Sequence, residues 1–304
     1  MQTKIYWLHA LTPLHVGAGA GLGFIDLPVI REKATDWPVV PGSAVKGVLA
    51  DSLGASAEKR EQNALYTAAF GTGGEDNAGA GALVFTDARL VCLPVRSLYG
   101  TFAWVTCKLA LERLARDLKA AGDTGVPAAA IPVSEKALLA TGSKLNGGGE
   151  SIYLGELDFK NEAPSPPCAN DWAIYLKSAL FPGDSDWQTA FHWRFTIIPE
   201  DSFNFFAETA TEVNARIKMD SNRRTVDKEH GALWYEESLP AETVLAGLAW
   251  CDRIPNFRQG VTEDQVIGLV KSATLQIGGK ATVGRGQARF VAGAAHAAAA
   301  GGGR

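Results

Sequence analysis

Leu11-Thr-Pro-Leu-His15-Val-Gly17-Ala-Gly19-Ala-Gly21-Leu-Gly23-Phe-Ile-Asp26-Leu-Pro28 is the stretch on which the reading of this chain turns. Its four alternating glycines invite a nucleotide-binding loop. The dinucleotide fingerprint G-x-G-x-x-G, however, needs glycine at 22 or 24, and those positions are Leu22 and Phe24. Nor does a helix begin here: Ile25-Asp26-Leu27-Pro28 is extended or turning, and Pro28 would break an early helix. What remains is a loop that lets backbone approach a bulky, charged ligand closely. Taken alone, Asp26 is a turn-forming acid and His15 a structural loop histidine.

Upstream, Ile5, Trp7, His9 and Leu11 alternate with Tyr6, Leu8, Ala10 and Thr12, which predicts an opening strand. Downstream, Pro41-Gly42-Ser43 predicts a helix start with Ser43 as its cap and Val45, Val48 and Leu49 on one face. Lys46 falls in the first turn, where free amides, the helix dipole and an ammonium together suit a phosphate, although a lone lysine there is as readily solvated. A second glycine cluster, Gly278-Gly279-Lys280-Ala-Thr-Val-Gly284-Arg285-Gly286, also fails as a phosphate loop. Arg285 and Gly286 stand where lysine and a hydroxyl residue are required. It too offers close backbone approach, with Lys280 and Arg285 supplying positive charge.

Elsewhere the periodicities predict a helix over 57–70, strands at 84–85 and 90–95, and a helix bearing Trp104, Cys107, Leu111, Leu114 and Leu118. Residues 121–167 read as irregular apart from a short strand near 152–157. Strands are expected at 172–177 and 192–198, a helix over 206–217, an extended β-hairpin over 216–235 and a short helix over 240–249. Thr262 and Gln265 form a capping box ahead of Val266, Leu269 and Val270, and 275–290 reads as strand–loop–strand. The Ala/Gly-rich tail, 292–304, lacks core-building residues and is expected to be disordered.

At 304 residues and 46% hydrophobic content, the chain is long enough for a large core. It has no apolar run near the roughly 18 residues that span a bilayer, and Met1-Gln-Thr-Lys4 does not resemble a signal peptide, so a cytoplasmic protein is expected. Cys92, Cys107, Cys168 and Cys251 are too scattered for a zinc site or a disulfide framework. No serine or cysteine is flanked as a catalytic nucleophile. A net charge of −4 argues against a protein that coats nucleic acid indiscriminately, but allows a local basic track. Arg216, Lys218, Arg223, Arg224 and Lys228, set against Asp220 and Asp227, form one such track.

These pieces assemble into a resemblance. The runs Leu11 to Gly19, Gly21 to Glu32 and Pro38 to Gly47 resemble the N-terminal signature of the RAMP superfamily of CRISPR proteins. Within it they resemble the family of fourth Cmr subunits, repeated in the backbone of type III-B effector complexes. Phe85 to Leu90, Leu93 to Thr106, Gly231 to Pro240 and Leu275 to Gly279 are similar to the same family in the same order, the last continuing into Thr282-Val-Gly284-Arg-Gly286.

The resemblance implies a single α+β RAMP domain over 1–291: a ferredoxin-like (RRM-like) palm, an insertion at about 121–171 and a protruding β-hairpin thumb at about 216–235. It implies copies stacked as a helical filament on a guide RNA, with other Cmr subunits and a complementary target RNA as partners. Asp26 matches the family's catalytic aspartate, acting with a weakly held divalent cation (Mg2+ or Mn2+). His15, Tyr235 and Glu236 fall near the cleavage site. Ser43, Lys46, Gly278, Gly279, Lys280, Gly284, Arg285 and Gly286 match guide-RNA contacts, and Arg216, Lys218, Met219, Arg223 and Arg224 fall on the thumb. Two alternatives stay open: a scaffold that binds guide RNA without cutting, and an endoribonuclease that matures the guide precursor.

Overall fold

The computed structural model describes residues 2–21, 23–72, 79–128, 135–162, 166–218, 233–254 and 260–293. β1 (Thr3–Ala10) forms where alternation predicts it. After the long glycine loop come β2 (Val39–Val40) and α1 (Gly42–Ser52). Ser43 does not cap α1. Pro41 holds the cap position, and the Gly42 N–H donates to Asp87 Oδ1 at 2.9 Å, so the orphan amide is satisfied from across the fold. The helix expected over 57–70 is two, α2 (Ala57–Gln62) and α3 (Ala64–Phe70). Asn63 is extended between them, and its side chain accepts from Leu65 and Tyr66 N–H, which starts α3 afresh.

β3 (Leu83–Phe85) and β4 (Ala88–Arg96) agree with their sequence patterns. Trp104 lies not in a helix but in β5 (Phe102–Thr106), whose aromatic and β-branched residues favour a buried strand. α4 (Lys108–Ala120) starts after Cys107 and buries Leu111, Leu114 and Leu118. The stretch read as irregular supplies β6 (Lys136–Leu139), β7 (Ser151–Leu154) and β8 (Leu157–Asn161). The strand expected at 172–177 is helical. α5 (Pro167–Leu180) buries Cys168, Ala169, Trp172, Ala173, Leu176 and Leu180, a period of 3.6 that the aromatic content had masked. α6 (Ser185–Arg194) takes the first half of the next expected strand, with Asp184 capping Trp187 N–H, and only β9 (Phe195–Ile197) is extended.

α7 (Glu200–Thr209) ends before β10 (Glu212–Ile217), so the helix expected over 206–217 is mostly strand. β11 (Leu233–Ser238) pairs antiparallel with β10, with Ala215 opposite Tyr235 and Ile217 opposite Leu233. The hairpin tip, including Met219, Arg223, Arg224 and Lys228, lies outside the described residues, as does the tail from 294. The helix expected over 240–249 is β12 (Val244–Cys251), held between β1 and β4 by ladders that override local propensity. α8 (Glu263–Ile267) carries the expected Thr262–Gln265 capping box, and β13 (Ala273–Gln276) and β14 (Gln287–Ala292) flank the second glycine loop.

Among the described residues, the strands form one large mixed sheet, ordered β13-β14-β1-β12-β4-β5-β9-β6-β8-β7, and a separate pair, β10-β11. Three apolar clusters fill the space between the sheet and its helices, one around Tyr6, Val45 and Phe290, one around Trp104, Trp172 and Phe191, and one around Trp37, Phe203 and Phe206. All four cysteines are free and buried, as their scatter implied. Among the described residues, no helix is long and apolar enough to cross a membrane. Both glycine loops leave the same end of the central strands, where β1 ends and β14 begins.

Candidate functional site

The loop after β1 folds back on itself and then docks on β11. Ile30 N donates to Val16 O at 2.9 Å, Ala18 N to Pro28 O at 3.0 Å and Gly21 N to Asp26 O at 2.8 Å. The outer limb then runs parallel to β11, Leu27 N donating to Tyr235 O at 3.1 Å and Glu237 N to Leu27 O at 3.0 Å. Asp26 is fixed by this register. Its Oδ2 accepts the Tyr235 N–H at 2.8 Å, the residue is exposed, and Oδ1 has no hydrogen bond among the described residues. One face of the hairpin shows a row of exposed apolar side chains, Val213, Ile217, Leu233 and Tyr235, and Phe24, two residues before Asp26, is 100% exposed.

Two consecutive residues of β11, one on each face, are buried and charged. Glu236 is 3% exposed; its Oε1 accepts from Lys280 Nζ at 2.6 Å and Trp234 Nε1 at 2.7 Å, and its Oε2 from Arg216 Nε at 3.2 Å. Burial alone would raise this carboxyl, but the Lys280 and Trp234 hydrogen bonds, the Lys280 charge and Arg216 outweigh it and bring the pKa from 4.5 down to about 2. Glu237 is equally buried, with Arg31 Nη2 at 2.5 Å from Oε1 and Val29 N–H donating to Oε2 at 2.9 Å. His15, also buried, has Nδ1 2.6 Å from Glu237 O, which assigns the donor to Nδ1, while its own carbonyl accepts Gly279 N–H at 2.9 Å.

These contacts bring His15, Asp26, Tyr235, Glu236 and the 278–286 loop together. Their chemistry differs from expectation in one respect: the two loop cations are already engaged. Lys280 pairs with Glu236, and Arg285, 9% exposed, donates to Ser238 Oγ and lies 3.8 Å from Glu212. Ser43 is exposed in the first turn of α1. Lys46 is partly buried, its pKa lowered by burial and then by the charge of Arg60, and it has no acidic partner among the described residues. Lys218 is exposed just beyond β10. Sequence reasoning assigned nothing to Arg31, Trp234 or Glu237. The consecutive Glu236-Glu237 in an otherwise apolar strand was the available signal, because two buried neighbours on opposite faces each need a cation.

The Glu236 network makes a stability prediction. Its folded pKa lies below the unfolded value, so its contribution is complete above about pH 4.5 and is lost as pH falls toward 2. The difference in melting temperature between wild type and Glu236→Gln should stay flat from pH 7 to 5 and shrink between pH 4.5 and 2. A difference that widens with acid would contradict the pairing.

The site can be compared with known proteins on this geometry. The family model for the RAMP superfamily matches residues 7–289. The chain belongs to the RAMP superfamily. It is 32% identical over 299 residues, 94% of each chain, to the Pyrococcus furiosus protein named CRISPR system Cmr endoribonuclease Cmr4. Its fold is similar to that in a crystal structure of oligomeric Cmr4 from Pyrococcus furiosus, with a TM-score of 0.74 and 25% identity over 96% of this chain and 98% of that one. A chain in a cryo-EM structure of type III-B Cmr-beta bound to cognate target RNA shares the fold at 19% identity, with a TM-score of 0.70 over 96% and 97% of the two chains.

A divalent cation places a separate demand on the site. No group of three or more His, Cys, Asp or Glu side chains is placed to hold a metal ion among the described residues. Asp26 Oδ1 is one oxygen without a hydrogen bond among the described residues, and Glu236 is committed to its cations. That donor set does not fit an all-protein cage. A hard divalent cation at Asp26 would have to take most of its ligands from outside the described residues.

Proposed function

We propose that this chain is a guide-RNA-binding backbone subunit of a type III-B Cmr complex and that Asp26 cuts the complementary target RNA. The observation that carries this is the setting of Asp26: an exposed carboxylate, locked through one oxygen to the Tyr235 amide, with the other making no hydrogen bond among the described residues. Homology over nearly the whole chain to a protein named as the Cmr endoribonuclease supports the activity, and the oligomeric and target-bound relatives support the assembly.

In this reading, the main sheet is the RRM-like palm and β10-β11 is the base of the thumb. Copies of the chain stack along the guide, and Watson–Crick pairing chooses the target while the protein holds the backbone. The exposed apolar face of the hairpin, together with Phe24, presses against bases and opens the duplex. Lys46, a desolvated ammonium near Arg60 with no acid to balance it among the described residues, takes a guide phosphate. The 278–286 loop meets the guide through its backbone, because Lys280 and Arg285 brace the hairpin instead.

The splayed target nucleotide brings its 2′-hydroxyl to Asp26 Oδ1, which accepts the hydroxyl hydrogen and holds the oxygen in line with its own 3′-phosphate. The 2′-oxygen-to-phosphorus bond forms as its proton passes to Asp26 Oδ1, the bond to the departing 5′-oxygen breaks, and that oxygen takes a proton from water while the carboxyl returns its own to solvent. A divalent cation on Asp26 and the phosphate would neutralise charge at the phosphoryl oxygens. Evenly spaced, EDTA-sensitive cuts in a labelled complementary RNA are expected once the chain is combined with its partner subunits and a guide. Binding without any cut would favour a scaffold. Metal-independent cutting of a hairpin precursor by the chain alone would favour guide processing.

A further inference from the structure

A pocket of about 270 Å3 between β5 and α6 plays no part in the site above. Phe102, Trp104, Asp186, Trp187, Ala190 and Arg194 line it. It falls just below the roughly 300–1,000 Å3 typical of drug-sized ligands, which suits one planar group. Its aromatic rings are held rigidly. Trp104 Nε1 donates to Glu242 O at 2.8 Å, and Phe102 meets Trp104 edge-on with centroids 4.6 Å apart. The Trp187 ring stacks on Phe181 at 5.6 Å, yet Trp187 remains 40% exposed.

Topology places this pocket at the end of the sheet that bears the candidate site. Val244, the first residue of β12, pairs with His9 near the end of β1 and with Cys92 in β4. β4 continues past that point to Arg96, which pairs with Phe102 at the mouth of the pocket. Trp187 also packs edge-on against His9, with centroids 6.1 Å apart, one residue before β1 ends.

We propose that this pocket binds one unstacked RNA base, an inference that rests on the RNA-binding function proposed above. The polar groups select this occupant over an apolar side chain from another protein. Asp186 is exposed with no hydrogen bond among the described residues, so its carboxylate can accept from the N–H edge of a base. Arg194 is anchored by Nε to Gly100 O at 2.8 Å and by Nη1 to Ala190 O at 3.2 Å, with its guanidinium 5.7 Å from the Phe102 ring centre. Fixed there, it supplies charge beside a stacked base and toward its phosphate. A leucine or methionine would satisfy the rings and neither charged group.

The test compares two probes of equal length, a single-stranded RNA and the same ribose-phosphate chain without bases, each titrated with the full chain by fluorescence anisotropy. Backbone contacts act on both probes and a base pocket only on the first. Trp187→Leu should weaken binding of the RNA about tenfold and leave the abasic chain unchanged, while Trp187→Phe keeps most of the affinity. A folding defect would lower both affinities together, leaving their ratio at the wild-type value, and that ratio overturns the pocket. So does a variant that loses self-association in sedimentation while binding RNA normally, which would mark a protein interface. A Lys46→Ala variant that weakens both probes, alongside a Trp187→Leu variant with the wild-type ratio, leaves the RNA-binding function standing without the pocket. Wild-type chain that binds neither probe overturns both.

Discussion

Replacing Asp26 with asparagine is expected to abolish target cutting while leaving target binding intact. Asparagine keeps the shape of the side chain, and its amide oxygen can still accept the Tyr235 N–H that now binds Oδ2 at 2.8 Å. The 16–30 loop should therefore keep its register on β11, because the other bonds that hold it, including Leu27 N to Tyr235 O, are backbone to backbone. What is lost is the negative charge of the carboxylate, shared by the oxygen that Tyr235 leaves free. Without it the 2′-hydroxyl loses its strongest acceptor, and a cation loses its only protein ligand at this place among the described residues. The cleavage rate should fall by a factor of about 100 to 10,000, the usual range for a positioned acid–base group. Single-turnover cleavage of labelled target by the reconstituted complex, with affinity measured in parallel, checks it. Cutting at the wild-type rate would remove Asp26 from the chemistry and leave the scaffold reading.

Much of the site was legible because its residues lie close together in sequence and carry unusual backbone demands. Two glycine loops that fit neither nucleotide fingerprint, a helix start with Lys46, and Asp26 between them mark segments whose backbones approach one another closely, as Gly279 N and His15 O do. The pairings within the site were not legible. Nothing local says that Lys280 and Arg285 serve Glu236, Glu212 and Ser238, because those contacts join segments tens of residues apart. A lysine in a glycine loop has the same sequence signature whether it faces phosphate or a buried carboxylate.

Errors in the elements followed the same division. β1 was readable although it is buried on both faces and clamped between β12 and β14, because its aromatic and β-branched residues favour a strand; β12, clamped in the same way but built mostly of Leu, Ala and Gly, was not. β12 presents Val244-Leu-Ala-Gly-Leu-Ala-Trp-Cys251, nearly all apolar, where periodicity cannot separate strand from helix, and only the ladders to β1 and β4 decide. α5 failed in the opposite sense: Trp172 and Tyr175 suggested a strand, while the periodic burial of Cys168, Ala169, Trp172, Leu176 and Leu180 against the central cluster makes it a helix.

The largest expected loss of stability is at a glycine. Gly278 has φ +78°, and a Cβ added there would lie 2.2 Å from His15 O and 2.8 Å from the His15 carbonyl carbon. That obstacle is backbone held by hydrogen bonds, so it cannot swing aside as a side-chain tip can. Alanine must therefore push the 277–280 segment off the His15 loop, breaking the 2.9 Å bond from Gly279 N to His15 O and drawing Lys280 away from Glu236. With left-handed strain added, Gly278→Ala should cost about 3 kcal/mol. In a chain of this size that is a drop of roughly 5–10 °C in melting temperature. Gly284, six residues along the same loop, is the control. Its φ is +79°, but a Cβ there meets nothing within 4 Å, so Gly284→Ala bears the strain without the collision and should cost about 1 kcal/mol. Thermal melts of the two variants side by side separate the terms. Equal losses would mean that the contact between the two glycine loops contributes nothing, and that His15 and Lys280 owe their positions to something else.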